Sequence, residues 1–397
     1  GGAFRIEDRR AALGAPPAGT VWAGASKVDI TPDRDHVYMA GFMVNRTSLG
    51  VHDPIYARCL YVDDGRTPLV MISLDLLGFL HSEVVGMRAR MTERFGPNVI
   101  VASTHSHSGP DIIGLWGFGL LLPFSSGKDD AFVDRVMDAG AQCVRQAMDA
   151  AVPATAVFAA ADAPADISTN FHEPERPGIA KEKDNQIAVA RWISRKGETV
   201  ATVINYACHV EAIHEENREI TADFAGFLTR DLEQRFGGVG LFFNGAIGGL
   251  IVPNIPRPTP TQERWDLARR MGQRLVDAAR DALEKRGIPW SPGPGDGIEV
   301  VSRDLPLSLD NAAWRFFRFV GILGIEGEGR DFMTELTAAR IGPSVWLTVP
   351  GEIFPSLGRK FKAAMAARVP FLIGLGNDEL GYIMEPAEFV DDLYGYE

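Results

Sequence analysis

The chain has 397 residues, of which 46% are hydrophobic and 23% are charged, so it can bury a large core and lacks the composition of a disordered protein. Its formal net charge of -12, without a cluster of Lys and Arg, argues against a nucleic-acid-binding protein, because phosphate contacts need concentrated positive charge. Three scattered cysteines, Cys59, Cys143 and Cys208, exclude a disulfide framework and a thiolate zinc site, so a bound metal would need histidine and carboxylate ligands.

Short apolar runs alternate with segments of helical spacing along the chain, and this alternation predicts an α/β fold. We expect mixed β-sheets flanked and layered by helices, with an active site on loops at strand ends. Strands are predicted at residues 67–74, 98–103, 155–160, 186–193, 199–206, 239–243, 298–302 and 344–349. Helices are predicted at residues 82–95, 130–151, 223–236, 260–285 and 355–367. Ser82 fits the N-cap of the first helix, because a carboxylate follows it in the first turn.

Two stretches between these elements are predicted to be irregular. Residues 162–184 are polar, contain proline and show no strand pattern, which predicts a long surface loop of the kind that is often functional. The Pro- and Gly-rich residues 287–297 predict a connector. The segment after the connector is too short and too similar in character to form a separate domain, so we expect residues 1–397 to form a single domain.

Two histidines separated by one residue, His105 and His107, come shortly after the strand predicted at 98–103. On an extended backbone, side chains at i and i+2 point to one side, so both imidazoles can face one cavity at the end of the strand. Neutral imidazole is the commonest metal ligand, and a catalytic zinc takes three protein ligands and a water. Because the His-x-His pattern is short, a pair of surface-loop histidines explains the spacing about equally well.

Three further chemistry-bearing residues come after apolar strands. His209 lies near the end of the run at 203–210, Glu352 comes after the strand at 344–349, and Tyr382 comes after an apolar segment near the C-terminus. Taken alone, Glu352 is explained as a carboxylate stabilised by the N-terminus of the helix at 355–367. Tyr382, taken alone, is explained as a packed aromatic with a satisfied hydroxyl group.

In order along the chain, these segments resemble the catalytic domain of the neutral (non-lysosomal) ceramidase family. The resemblance is strongest in STHSHSGPD at 103–111, where the family typically has Thr-His-Thr-His-Ser-Gly-Pro. It extends over nearly the whole chain, through AGASKVDITP (23–32), GVHDPIYARCLYVDD (50–64), SLDLLGF (73–79), NYACHVEAI (205–213) with Thr221-Ala-Asp223, VPGEIF (349–354) and NDELGYIMEPAEF (377–389).

The resemblance implies a zinc-dependent hydrolase that cleaves an N-acyl amide bond, in ceramide or a related N-acyl lipid, by metal-activated water. The residues at the family's metal-ligand positions are His105, His209, Glu352 and Tyr382. His107 falls where the family places a histidine against the substrate carbonyl, and Tyr394 where it has a further active-site tyrosine. Asp75 and Asp223 could orient the ligand imidazoles or could be structural caps.

The same resemblance implies a secreted, periplasmic or membrane-facing protein, although the chain begins Gly-Gly-Ala-Phe and shows no signal peptide. The apolar run LWGFGLLLPF at 115–124 lies shortly after the histidine pair. It could hold an acyl chain or contact a membrane surface, or it could be a lid packed on the core. A small-molecule N-acyl substrate is expected, and no nucleic-acid partner.

The sequence departs from the family in three places. Where the family has a Gly-Asp-x-Ser-Pro-Asn-like segment, this chain reads NGAIGGLIVPN at 244–254, so the Asp and Ser are missing and a serine nucleophile is excluded. Phe171 follows Asn170 where the family has arginine, and Arg176 is a candidate replacement. Members of the family append an immunoglobulin-like C-terminal domain, whereas this sequence stops at Glu397 just after the final catalytic motif, so we expect either a truncated chain or a shorter, single-domain relative. These departures leave open a zinc hydrolase of a different amide or ester, or a metal-binding but catalytically silent homologue.

Overall fold

The computed structural model describes residues 5–91, 98–117, 126–171, 181–293, 295–319 and 331–389. The helices in these ranges are α1 (Ile6–Leu13), α2 (His81–Ala89), α3 (Asp130–Asp149), α4 (Asp223–Phe236), α5 (Thr261–Arg286), α6 (Ala312–Phe319) and α7 (Pro355–Ala364). The strands are β1 (Val21–Asp29), β2 (Gly50–Val51), β3 (Tyr56–Asp63), β4 (Pro68–Leu74), β5 (Val99–Ser103), β6 (Val152–Asp162), β7 (Ser168–Asn170), β8 (Gln186–Ser194), β9 (Thr199–Tyr206), β10 (Glu219–Ile220), β11 (Val239–Asn244), β12 (Ile251–Pro253), β13 (Ile288–Trp290), β14 (Ile298–Ser308), β15 (Asp331–Ile341), β16 (Ser344–Thr348), β17 (Glu352–Ile353), β18 (Val369–Ile373) and β19 (Tyr382–Ile383). The predicted α/β class is confirmed.

A nine-stranded mixed sheet forms the centre of the molecule. Its strand order is β11-β9-β8-β6-β1-β3-β4-β5, and β13 pairs with β6 beside this path. The pairs β4–β5 and β11–β9 are parallel, and the other neighbours are antiparallel. A second sheet has the order β14-β15-β16-β18, with β16 and β18 parallel.

The two faces of the large sheet bury different layers. Along β3, Cys59 and Tyr61 face the helices α2 and α3. The alternate residues Leu60 and Val62 face the second sheet, and Trp346 of that sheet packs in the core between the two sheets. At the other end of the large sheet, α4 and α5 cover β8, β9 and β11. Strands buried on both faces are apolar throughout rather than alternating, which matches the continuous apolar runs in the sequence.

The large sheet curls so that its two edge strands approach one another. Ser73 of β4 donates from its hydroxyl to the carbonyl of Phe242 in β11 at 2.6 Å. Asn244, at the end of β11, donates to the carbonyl of Thr104, just past β5, at 3.0 Å. The segments that come after β5, β9 and β11 therefore meet in one place.

Several local expectations were wrong. Helix α2 begins at His81 with Leu80 at its N-cap, so Ser82 lies inside the helix and does not cap it. The segment at 162–184 contains the strand β7, which pairs with β12, and residues 172–180 lie outside the described ranges. The connector at 287–297 includes β13, which joins the large sheet.

Among the helices that the structure describes, none has the length and apolar character needed to cross a bilayer.

Candidate metal centre

His105 and His107 lie in a turn that leaves β5 and enters the interior. The backbone N–H groups of His105 and Ser106 both donate to the carbonyl of Leu76, which fixes the turn. His105 has a φ of 70°, a left-handed conformation that is costly for a residue other than glycine. The extended backbone assumed from the His-x-His spacing is therefore wrong at His105, although the two rings do share a cavity.

Three buried histidine rings converge at this point. The ring centroids are 4.8 Å apart for His105 and His107, 4.8 Å for His105 and His209, and 5.6 Å for His107 and His209. One nitrogen from each ring lies within 4.8 Å of the others. His209 is brought here by the turn after β9, whose residue Val210 pairs with Ser106. The three imidazoles could hold a metal ion.

Backbone carbonyls orient two of the rings. His105 Nδ1 donates to the carbonyl of Leu77 at 2.8 Å, and His209 Nδ1 donates to the carbonyl of Ile251 at 3.1 Å. With Nδ1 donating in each ring, Nε2 faces the cavity, and in the neutral ring it carries the lone pair that can bind a metal. This tautomer is the one that a metal ligand needs.

The carboxylate of Glu352 lies against both of these Nε2 atoms. Its Oε1 is 3.5 Å from His105 Nε2, and its Oε2 is 3.0 Å from His209 Nε2. His209 Nε2 and Glu352 Oε2 are buried, and neither has a hydrogen-bond partner of proper geometry among the described residues. Two ligands of one tetrahedral zinc lie about 3.3 Å apart, given bonds of about 2.0–2.1 Å. The donor set and its spacing therefore fit a shared ion.

Tyr382 reaches the same group through the short strand β19. This strand pairs in parallel with β17, and the register places Tyr382 opposite Glu352. A side-chain hydrogen bond from Tyr382 contributes to lowering the pKa of Glu352. The structure therefore brings together His105, His107, His209, Glu352 and Tyr382, whereas Tyr394 lies outside the described residues.

The pKa values of these side chains bear on their ability to bind a cation. Burial lowers the pKa of His105 to about 4, and burial also holds the pKa of His107 well below its ordinary value. Burial alone would raise the pKa of Glu352, but the neighbouring His105 and His209 lower it. Neutral His105 and His107 beside an ionised Glu352 are in the protonation states that bind a metal. Burial would lower the pKa of His209, but Glu352 raises it, so a metal ion bound there would displace a proton.

His107 is packed on several sides. Phe42 packs edge-on to its ring at 4.8 Å, and the buried Arg46 guanidinium donates to its backbone carbonyl. Gly41 has a φ of +97°, and a Cβ atom there would lie 2.5 Å from His107 Cγ. The Glu211 carboxylate lies 3.5 Å from His107 Nδ1. The position of the His107 ring is therefore determined by its neighbours.

Two buried carboxylates beside the cluster were not singled out in the sequence. Glu211 contacts His107, and Glu379 has one oxygen that lacks a hydrogen-bond partner among the described residues. Burial raises the pKa of Glu379, and the charge of Glu352 raises it further. Glu211 is an acid among apolar residues, and that contrast was the available signal, whereas Glu379 follows the polar Asn377 and Asp378 and gives no such contrast.

Asp75 and Asp223 do not orient the ligand imidazoles. Asp75 accepts from the backbone N–H of Tyr56, and burial raises its pKa to about 6. Asp223 accepts from the backbone N–H groups of Ala212 and Ile213, and burial raises its pKa to about 7. Both are structural groups, which was the second of the two interpretations of these residues.

The segment that lacks the expected Asp and Ser is part of the scaffold. Asn244 donates to the carbonyls of Thr104 and Cys208, and so links the two turns that carry the histidines. A Cβ atom on Gly248 would lie 2.5 Å from the carbonyl oxygen of Glu352. The segment thus supports the metal centre through its backbone and small residues.

The flanking loops are described only in part. Leu115 and Trp116 pack on Leu77 and Ile113, which favours the packed-lid interpretation for the start of the apolar run. Residues 118–125 and Arg176 lie outside the described ranges. Phe171 is 49% exposed and lies beneath the guanidinium of Arg257.

Known proteins resemble this chain in sequence. A profile of the neutral/alkaline non-lysosomal ceramidase N-terminal domain matches residues 22–251. The neutral ceramidase of Drosophila melanogaster is 22% identical over 67% of this chain and 44% of its own length. The neutral ceramidase of Pseudomonas aeruginosa is 22% identical over 63% of this chain and 40% of its own length. The chain thus spans less than half the length of the curated relatives that it matches.

Two solved structures share the fold. The crystal structure of the Pseudomonas aeruginosa neutral ceramidase superposes with a TM-score of 0.74 at 18% identity, over 92% of this chain and 68% of that one. A ceramidase complexed with C2 superposes with a TM-score of 0.76 at 17% identity, over 94% of this chain and 71% of that one.

Proposed function

Because the chain belongs to the neutral/alkaline non-lysosomal ceramidase family, we propose that it is a zinc-dependent hydrolase that cleaves an N-acyl amide bond. The observation that carries this proposal is the approach of Glu352 to the Nε2 atoms of His105 and His209, at 3.5 and 3.0 Å, in a buried cavity. Tyr382, opposite Glu352 on β19, is the fourth ligand that we propose.

A zinc ion held by these residues would supply a water of lowered pKa and a Lewis acid for the scissile carbonyl. His107 lies beside the two ligand histidines, with its ring packed against Phe42 and its Nδ1 3.5 Å from the Glu211 carboxylate. We assign it to the substrate carbonyl oxygen, where an N–H donor stabilises the negative charge that develops during attack. Hydrolysis consumes one water, forms a C–O bond, breaks the C–N bond and transfers a proton to the leaving nitrogen.

The first substrate class to test is ceramide or a related N-acyl lipid. A second candidate is a zinc hydrolase acting on a different amide or an ester, and the departure at 244–254 favours it. In this chain Asn244 and Gly248 serve the scaffold instead of presenting a serine to the cavity. The same departure is the argument for a metal-binding homologue without activity.

The test makes the same histidine-to-asparagine substitution at two different positions. His209→Asn removes a proposed ligand, whereas His36→Asn changes an exposed histidine with a φ of 60°, a conformation that asparagine tolerates. We expect metal analysis by mass spectrometry to find about one zinc per chain in the parent and in His36→Asn, and much less in His209→Asn. Zinc retained in His209→Asn would contradict the ligand assignment.

Activity is measured with a fluorogenic amide and a fluorogenic ester that carry the same acyl chain. Turnover of the amide that depends on His209 supports the proposal, and turnover of the ester alone supports the second candidate. Stoichiometric zinc with neither activity favours the silent homologue.

A further inference from the structure

A second cavity adjoins the metal centre. It has a volume of about 360 Å³ and is lined by residues 213–216, which come after the His209 turn, and by residues that lead into α5. Among the lining side chains are His214, Arg257 and Arg264. None of these residues has a role in the proposed metal chemistry.

Two contacts connect this cavity to the site. Glu211 lies between them, with one carboxylate oxygen 3.5 Å from His107 Nδ1 and the other 3.7 Å from the Arg257 guanidinium. Phe42 packs on both His107, at 4.8 Å, and His214, at 5.1 Å. The cavity is therefore separated from the proposed carbonyl-binding histidine by a single side chain.

Arg257 is held in place but keeps its donors. Its guanidinium lies 4.8 Å from the centre of the Phe171 ring, and its side chain is 44% exposed. Among the described residues, its ionic contact is the 3.7 Å approach to Glu211, which is too long for a hydrogen bond. A planar guanidinium restrained by an aromatic face loses little entropy when it binds a carboxylate through two parallel hydrogen bonds.

The surroundings add positive charge. Arg264 is buried and donates to the carbonyls of Ala212 and Thr259, and Arg46 is buried and donates to the carbonyl of Ala40. These acceptors are neutral carbonyls, so they leave the charge of both guanidinium groups in place, and the buried Nε of Arg46 has no hydrogen-bond partner among the described residues. The acids of the region are Glu211, Glu215, Glu216 and the buried Asp223, and Glu216 is exposed at the outer edge, where it accepts from Thr261.

His214 lies close enough to these arginines to be affected by their charge. Burial lowers the pKa of His214 to about 4, and the charges of Arg257, Arg264 and Arg46 lower it as well. A neutral His214 offers a hydrogen-bonding partner without adding another charge.

We propose that this cavity binds a carboxylate carried on the amine side of the substrate, through Arg257, so that the chain hydrolyses N-acyl amino acids. This inference rests on the proposed amide hydrolysis and narrows its substrate class. In an N-acyl amino acid the carboxylate is two bonds from the scissile nitrogen, which suits a cation one side chain away from His107. The products are a fatty acid and a free amino acid.

The experiment compares N-lauroylglycine with N-lauroylglycinamide, which has the same shape without the charge. We expect the zinc-loaded parent to prefer the acid by about tenfold in kcat/KM, the factor typical of one charge-assisted hydrogen-bonding pair. Arg257→Gln should reduce that ratio to about one, and Arg257→Lys should retain part of it, because lysine keeps the charge but not the planar fork.

Arg280→Gln is the matched control, because Arg280 is an exposed arginine whose partners are the nearby acids of α5. It should leave the ratio as in the parent. Equal turnover of both substrates by the parent, or an unchanged ratio in Arg257→Gln, would overturn the inference while leaving the amidase proposal intact.

If neither substrate is turned over, the N-acyl amino acid hydrolysis is rejected, turnover of the fluorogenic amide still decides the amidase proposal, and calorimetric binding of the same two compounds decides whether the cavity is a carboxylate site. Tighter binding of N-lauroylglycine that is lost in Arg257→Gln supports a carboxylate site. Equal binding of the two compounds rejects it.

Discussion

A buried imidazole is neutral because the protein interior does not solvate its charge, and His105, His107 and His214 all have lowered pKa values for this reason. In His209 burial acts in the same direction, but Glu352 more than offsets it and the pKa is raised. The sequence could show that histidines come after strands. It could not show which ring meets a carboxylate, because that depends on contacts between distant segments.

The lowered pKa of His214 predicts a pH-dependent stability. In the unfolded chain His214 binds a proton near pH 6.5, and in the fold it does so only near pH 4. Its contribution is therefore fully present above pH 6.5 and is lost as the pH falls through that interval. Because His214 is only half-buried, we discount for solvent and expect a loss of about 1 kcal/mol of unfolding free energy at about pH 5.

Urea unfolding of the parent and of His214→Asn at about pH 7.5 and about pH 5 measures this contribution. Asparagine tolerates the φ of 72° at this position and does not titrate. The parent should lose about 1 kcal/mol more than the variant between the two pH values. An equal loss in both proteins would mean that His214 binds protons equally well in the folded and the unfolded chain.

Gly41 is predicted to control the position of His107. Gly41→Ala would place a Cβ atom 2.5 Å from His107 Cγ at a φ of +97°, so the ring must move. If His107 contacts the substrate carbonyl, kcat/KM for an N-acyl amide should fall by about 100-fold, as for loss of an oxyanion donor. Gly197→Ala is the control, since its φ is +82° and nothing lies within 4 Å of the added atom.

Both variants should lose about 1–2 kcal/mol of unfolding free energy, because both force alanine into a left-handed conformation, and Gly41→Ala should lose more because the His107 ring must also move. Only Gly41→Ala should lose activity. Equal activity in the two variants would show that His107 is dispensable or that its ring adapts.

Among the elements, long apolar strands and amphipathic helices were predictable, and the central strands β1 and β3 were not. β1 is rich in Ala, Gly and Ser, and β3 contains Arg58, which is buried and pairs with Glu233 at 2.6 Å. A strand of small residues has little β-propensity that can be read from the sequence. Its place in the sheet is explained by the helix that packs on it. Contacts between distant segments determine whether such residues form a strand.

The start of α2 also depends on a contact between distant segments. Its first backbone N–H, at His81, is satisfied by the carboxylate of Asp378, which lies 297 positions away in the sequence. Capping rules search for a local side chain, and Ser82 fitted them. The real partner could be found only once β18 and the segment after it had been placed beside the large sheet.

Gly24 in β1 is predicted to set the distance between the large sheet and α3. A Cβ atom on Gly24 would lie 1.9 Å from the carbonyl oxygen of Ala147 in α3, a backbone atom that cannot move alone. We expect Gly24→Ala to lower the unfolding free energy by about 3 kcal/mol or more, in the range of severe overpacking.

Gly86→Ala is the comparison for this variant. The added atom would meet the Sδ atom of Met137 at 2.7 Å, which belongs to a flexible side chain, and alanine favours the helix. Denaturant unfolding should show a cost within about 1 kcal/mol of zero. A similar cost in both variants would show that the approach of α3 to β1 is not the constraint.

At the scale of the whole molecule, the proposed metal centre joins the two sheets. The large sheet supplies His105 and His209 from the turns after β5 and β9, and the second sheet leads into Glu352 and Tyr382. The order of motifs in the sequence was sufficient to suggest which residues belong together. It could not show the curl of the large sheet, which depends on hydrogen bonds such as that from Asn244 to Thr104.

Removal of the metal is predicted to weaken this junction without unfolding the protein, because the cores on both faces of the large sheet do not depend on it. At a free zinc concentration about 100 times its Kd, binding stabilises a protein by about 2.7 kcal/mol. For a chain of 397 residues, loss of this stabilisation after chelation should lower the Tm by about 3–4 °C.

Calorimetric scans with and without a chelator measure that shift. His36→Asn should show it in full, and His209→Asn should show none. A parent protein whose Tm is unaffected by chelation, although it binds zinc, would show that the ion does not couple the two sheets.

The position of Glu352 on a late strand has a consequence for synthesis. The ribosome makes both ligand histidines well before it makes the carboxylate and Tyr382, which come much later in the sequence. A nascent or prematurely terminated polypeptide therefore presents an incomplete set of donors, however well its first sheet has formed. Metal capture of the proposed kind becomes a late event, available only to chains whose translation has passed Tyr382.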